Sequence, residues 1–171
     1  LACPFPFRGA SSGTPIHFTF KPTTLPPGKT VIITEGALKT EVLVSLKSKA
    51  CVIATSGVSC SHAEIIDAAR NYNALIAFDA DYKTNPSLAR QLARLISARE
   101  LDIVIHQLST STKIVCWRSY KGIDDAVLAN SLLETMTILQ WFSTLEGKVL
   151  AEVKRAWNEA NYRPWISLVR K

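Results

Sequence analysis

The sequence predicts an α/β domain, a mostly parallel sheet of four to five strands with helices on both faces. Three observations predict it. Short β-branched runs alternate along the chain with helical stretches of roughly ten or more residues. The runs are continuously apolar rather than alternating, as strands covered on both faces are. Each of the first three ends in a turn signal, at Glu35-Gly36, Ser56-Gly57 and Asp79-Ala80-Asp81.

The elements follow in order. Residues 1–29 form an irregular lead-in whose six prolines forbid a long helix, with Ile16–Phe20 alternating like one strand. Val31–Thr34 is a β-branched run ending at Glu35-Gly36, and a helix over 37–48 follows with apolar Leu38, Val42, Leu43 and Leu46. Cys51–Thr55 is the second strand of the core. Ser61-His62-Ala63-Glu64 has capping-box spacing and opens a helix to about Tyr72, which places His62 at the surface. Ala74–Phe78 is a third buried strand.

Asn85-Pro86 reads as an N-cap followed by proline in the first turn. The helix from there to about Arg99 buries Leu88, Leu92, Leu95 and Ile96. Ile103–Ile105 is the expected fourth strand, and Lys113–Trp117 a fifth at an edge. A helix opens at Gly122-Ile123-Asp124-Asp125. Residues 131–160 read as helical, stopped by Pro164. Residues 30–130 thus form the central domain and 131–171 a helical extension of it.

The 171 residues are 47% apolar and 20% charged, enough for one domain with a core and unlike a disordered chain. No apolar run reaches the roughly 18–20 residues of a membrane helix, and no signal peptide opens the chain. It begins at Leu1 rather than Met, which reads as a piece of a longer protein. Cys3, Cys51, Cys60 and Cys116 form no C-x-x-C pair, so neither a zinc knuckle nor a disulfide framework is expected, and a reducing cytoplasm is.

The net charge of +6 favours polyanionic partners. Between Lys83 and Lys121 seven Lys/Arg face only two acids. Trp141, Trp157, Tyr162 and Trp165, among Lys154, Arg155 and Arg163, are the residue types of a stacking platform for single strands. Their helical spacing with Leu150 and Val153 favours a core role.

Right-handed crossovers bring the carboxyl ends of parallel strands to one edge, where open α/β sheets bind ligands. Glu35 follows the first strand of the core; Asp79 and Asp81 follow the third. On an extended backbone Asp79 and Asp81 point the same way. Gathered carboxylates repel and raise one another's pKa, and a divalent cation relieves this; hard oxygen ligands suit Mg²⁺ or Mn²⁺. The bland alternative makes Asp-x-Asp a polar turn and Glu35 a helix cap. Two such motifs in one domain argue for a shared site.

The run Val31–Gly36 followed by Leu75–Asp81 resembles the Toprim domain, whose shared pattern is a Glu after one strand and Asp-x-Asp after another. The sequence is most similar to the Toprim-like domain of unknown function in replication proteins of plasmids, phages and other mobile elements. There Glu-Gly-x-x-Lys-Ala, Phe-Asp-x-Asp and Gly-Ile-Asp-Asp recur; the corresponding pieces here are Glu35–Thr40, with Thr40 in the place of the Ala, Phe78–Asp81 and Gly122–Asp125. The resemblance covers about residues 30–130.

It implies a Toprim fold and Mg²⁺- or Mn²⁺-dependent work on nucleic acid, primase-like nucleotidyl or phosphodiester transfer. Glu35 then acts near the transferring phosphate as ligand or general acid/base, Asp79 and Asp81 hold the metal, and Asp124 and Asp125 supply further carboxylates. Gly36, Lys39, Lys83, Arg90 and Lys121 are the expected phosphate contacts, with Arg94 beside Arg90. The expected partners are DNA or RNA, chiefly a single-stranded template, nucleoside triphosphates, and other domains of the parent protein such as a helicase; no membrane is involved. Many primase members carry an acid where this chain has Lys39. That departure keeps two alternatives open, a non-catalytic binding or assembly module and a Toprim-type nuclease.

Overall fold

The computed structural model describes residues 16–46 and 50–169, the last nine of these as backbone only. Cys3, most of the lead-in, the last residues expected in the first helix, and the side chains of Tyr162, Arg163 and Trp165 lie outside what is described.

Six strands form one mixed sheet: β1 (His17–Phe18), β2 (Thr30–Glu35), β3 (Val52–Thr55), β4 (Asn73–Ile76), β5 (Thr112–Cys116) and β6 (Glu134–Met136). Their order is β1-β3-β2-β4-β5-β6. The four central strands run parallel, whereas β1 and β6 pair antiparallel at the two edges. The α/β class holds, but the sheet is larger and more mixed than four or five mostly parallel strands. Among the described residues, six α-helices accompany it: α1 (Ala37–Leu46), α2 (His62–Ala69), α3 (Pro86–Ile105), α4 (Ile123–Leu128), α5 (Ile138–Ser143) and α6 (Gly147–Val169). None is long and apolar enough to cross a membrane.

The period-2 geometry of the strands explains why the sheet is covered twice. Val31, Ile33, Ile53, Ala74, Ile76 and Ile114 point to one face, where they meet α2, α3, α5 and α6. Val52, Ala77 and Val115 point to the other, and pack with Leu43 of α1 and Ile123, Ala126 and Val127 of α4. At about 25 cal/mol per Å² of apolar area removed from water, these two layers are the main source of stability. Trp141 is fully buried, and Tyr82, Trp141, Phe142 and Trp157 form a run of edge-on ring contacts. The core reading of Trp141 and Trp157 is therefore the right one.

Several local expectations need correction. Ile103–Ile105 is the last turn of α3, not a strand; Val104 and Ile105 are exposed, and the helix is anchored at Asp102 by Arg70. β5 is not an edge, because Glu134–Met136 adds β6 outside it, within a stretch expected to be helical. Helix α6 continues past Pro164 to Val169. Ser61 takes a left-handed backbone (φ 54°) and its side chain does not cap α2. Leu38, expected on an apolar helix face, is 83% exposed. Asn85 does cap α3, accepting hydrogen bonds from the Ser87 and Leu88 amides ahead of Pro86. A capping box not anticipated, Thr137 with Gln140, starts α5.

Candidate functional site

The sheet topology selects one place for a site. After β2 the chain turns into α1, which lies on one face; after β4 it continues into α3, which lies on the other. Because β2 and β4 are neighbours, their carboxyl ends flank a switch point, where the departing connections leave a crevice. The pairing of Ile33 with Ile76 sets Glu35 level with Phe78, one residue before Asp79. Backbone and side-chain bonds lock this register: the Ala77 amide donates to Ile33, and the Thr34 hydroxyl donates to the Ala77 carbonyl at 2.9 Å.

Two loops close over the crevice. Gly36 takes φ +82°, a conformation glycine adopts without strain, and its amide donates to Thr55. That turn launches α1 so that Lys39 reaches back over the strand end. Residues Ala80–Lys83 wind into one 3-10 turn, and the Ala80 amide donates to the Lys121 carbonyl at 2.8 Å, tying the Asp79 loop to the Lys121-Gly122 loop.

The result is a compact charged cluster. The Lys39 ammonium donates to Asp79 Oδ1 and stands 3.8 Å from Glu35 Oε1. Lys121 Nζ lies 3.9 Å from Asp79 Oδ2 and 3.3 Å from Asp81 Oδ2. Asp79 is nearly buried at 12% side-chain exposure, whereas Asp81 is 48% exposed. The expectation that the two aspartates point the same way assumed extended backbone, and the 3-10 turn removes that premise. Lys121, not a common direction, connects them.

Gly122 is the floor of the cluster. A methyl group added there would overlap Asp124 Oδ1 and lie 3.3 Å from Asp79 Oδ1 and 3.4 Å from Lys39 Cε. Asp124 thus shares the space above Gly122 with Asp79 and Lys39, and its buried Oδ1 has no hydrogen-bond partner. Glu35 and Asp79 also line a small pocket with an apolar wall of Val58, Phe78, Tyr82, Leu88 and Leu92. That wall and the Gly122 floor were not anticipated as parts of the site. The glycine ahead of Asp124-Asp125 was the available signal for the floor.

The remaining expected residues lie apart. Asp125 is exposed on the first turn of α4. Lys83 is exposed and donates to the Trp117 carbonyl at 3.4 Å. Arg90 pairs with Glu152 and Glu159, and Arg94 with Glu159, so both clamp α3 to α6. Among the described residues, no three acidic, His or Cys side chains are grouped to hold a metal ion as they stand.

Burial pushes the Glu35 carboxyl above the ordinary carboxylate range. A hydrogen bond to Asp79 and the charge of Asp79 push the same way, and Lys39 and Lys121 oppose. The linkage has a definite sign. Above pH 4.5 and up to the raised value, the native protein holds more protons than the unfolded chain, so this group makes stability fall as pH rises through that window. Glu35→Gln is expected to lose this fall and to gain stability relative to the parent from acid to neutral pH. Urea unfolding of both proteins between about pH 4 and about pH 8 checks it; parallel pH profiles would contradict it.

Compared with known proteins, the chain matches no family model and no curated protein.

Proposed function

We propose that this chain is a Toprim-type domain that handles nucleic-acid phosphates with Mg²⁺ or Mn²⁺, in primase-like nucleotidyl or phosphodiester transfer for a replication protein. The observation carrying this reading is the Lys39 ammonium held between Asp79 Oδ1 and Glu35 Oε1 at the switch point, with Lys121 on the other oxygen of Asp79. The raised carboxyl of Glu35 is the candidate proton donor or acceptor of the site. Asp79 and Glu35 would hold the cation, with the orphaned Asp124 Oδ1 beside them; the donor set is all hard oxygen, which fits either ion. The ion supplies charge neutralisation at the transferring phosphate.

The chain's own residues do the rest. Glu35, with its raised pKa, is placed to hold or take a proton at its carboxyl oxygen. Lys121, 66% exposed, presents its ammonium group to a phosphate backbone arriving at this edge. The apolar wall of the neighbouring pocket excludes water from one side of Glu35 and Asp79.

The test is incubation of the protein with a single-stranded oligonucleotide, nucleoside triphosphates and Mn²⁺ or Mg²⁺. Extended product supports nucleotidyl transfer, and shortened product the nuclease alternative. Asp79→Asn is expected to lower either activity by more than about a hundredfold, since even outer partners of metal ligands are worth about 10–100-fold. Binding without any product would favour the non-catalytic module, a reading that the Lys39 contact on Asp79 supports.

A further inference from the structure

Lys39 is held where its charge matters most. Its Cγ, Cδ and Cε lie 3.8–3.9 Å from the point a Cβ on Gly36 would take, and Cε lies 3.4 Å from the corresponding point on Gly122. The stem thus runs between two bare glycine faces, and the side chain is only 20% exposed. Its ammonium bonds Asp79 Oδ1 and sits 3.8 Å from Glu35 Oε1. A buried ammonium placed among carboxylates neutralises them at short range, which a solvated lysine does poorly.

A second observation is independent of that pair. Asp124 Oδ1 is buried and unpartnered, and it crowds the same Cβ position at Gly122 that Asp79 Oδ1 and Lys39 Cε approach at 3.3 and 3.4 Å. A buried carboxylate oxygen without a donor is costly, and the single charge of Lys39 does not satisfy it. Glu35, Asp79 and Asp124 carry up to three negative charges here. The other nearby cation, Lys121, is 66% exposed and so screened by water and salt. A divalent ion in place of the ammonium would both double the neutralising charge and give Asp124 Oδ1 a partner.

We infer that Lys39 is a built-in counter-ion on Asp79, and that a divalent cation binds this cluster only by displacing the Lys39 ammonium. The inference rests on the proposed metal-dependent function. It makes the resting site partly neutralised by the chain's own lysine. The apparent cation affinity is lowered by the fraction of time Lys39 occupies Asp79. A phosphate that draws the ammonium away raises that affinity, so nucleic acid and metal bind cooperatively, each strengthening the other by the same factor.

The experiment is a Mn²⁺ titration of the full chain, read by the electron paramagnetic resonance signal of free Mn²⁺. The parent, Lys39→Met and Lys39→Gln are compared, together with Asp79→Asn on the Lys39→Met background. Removing the competing charge is expected to tighten Mn²⁺ binding by about tenfold or more in both neutral variants. Asp79→Asn should abolish that gain. An added single-stranded oligonucleotide should tighten Mn²⁺ binding to the parent more than to Lys39→Met. If the parent binds Mn²⁺ and both neutral variants bind it equally or more weakly, the counter-ion role is overturned while the metal-dependent function stands. If neither parent nor variants bind Mn²⁺, both are overturned.

Discussion

Under the proposed function, Gly122→Ala is expected to lower metal-dependent turnover of an oligonucleotide about a hundredfold while changing stability little. The backbone tolerates alanine, since Gly122 has φ −106°. The space does not. The new methyl would overlap Asp124 Oδ1 and press on Asp79 Oδ1 at 3.3 Å and Lys39 Cε at 3.4 Å. Asp124 must rotate away, and Asp79 and Lys39 must follow by some tenths of an ångström. Displacements near 1 Å at a reacting site cost about a hundredfold in rate. Stability moves less because two terms oppose: replacing glycine at a compatible position gains about 0.4–1 kcal/mol through the unfolded chain, and overpacking costs about 1–3 kcal/mol. Initial rates under saturating Mn²⁺ and urea midpoints, measured on the same preparations, separate the two effects. Full activity in the variant would show that Gly122 does not shape the site.

What was legible in the sequence was local. The runs at Val31–Thr34, Cys51–Thr55 and Ala74–Phe78 stand out because strands covered on both faces have no polar alternation, and they overlap β2, β3 and β4 with ends shifted by one or two residues. Glu35 and Asp79 were legible as neighbours because parallel strands deliver their ends to one edge. What failed depended on pairing or on backbone that residue type does not reveal. β6 is three residues, Glu134-Thr135-Met136, with two exposed; only its hydrogen bonding to β5 makes it a strand. Ile103–Ile105 has strand composition, yet α3 carries straight through it, and two of the three residues face solvent. The position of Asp81 turned on a 3-10 turn that the Asp-x-Asp pattern does not announce. Arg90 and Arg94 were read beside a phosphate, but their partner is Glu159, 65 or more residues along the chain. The same non-locality hid Arg99, counted within a basic stretch and found fully buried.

Arg99→Met is therefore expected to destabilise the fold by about 2–4 kcal/mol. The guanidinium donates from Nε to the Thr112 hydroxyl at 3.0 Å, from Nη1 to the Ala69 carbonyl at 3.1 Å and from Nη2 to the Tyr72 carbonyl at 2.6 Å. Ala69 ends α2 and Tyr72 leads into β4, so one planar fork caps the last carbonyls of a helix and fastens β5 to the same corner. Two effects compete when it is removed. Burial disfavours the charge and pulls the Arg99 pKa down, against the nearby charges of Glu100 and Asp102, so deleting the cation relieves a desolvation cost. Methionine fills most of the space but donates nothing, leaving Tyr72 O and Thr112 Oγ1 without their Arg99 donor and Ala69 O only its bond from the Tyr72 amide. Each buried group stripped of its partner costs about 1–3 kcal/mol, and hydrogen bonds from a charged donor are the stronger kind. The losses outnumber the relief, and the sign is destabilising. Arg99→Lys should fall in the same range, because one ammonium cannot reproduce three bonds held in a fixed plane. Urea unfolding gives the number directly. A methionine variant within about 0.5 kcal/mol of the parent would show that the desolvation cost of this buried cation cancels its three hydrogen bonds.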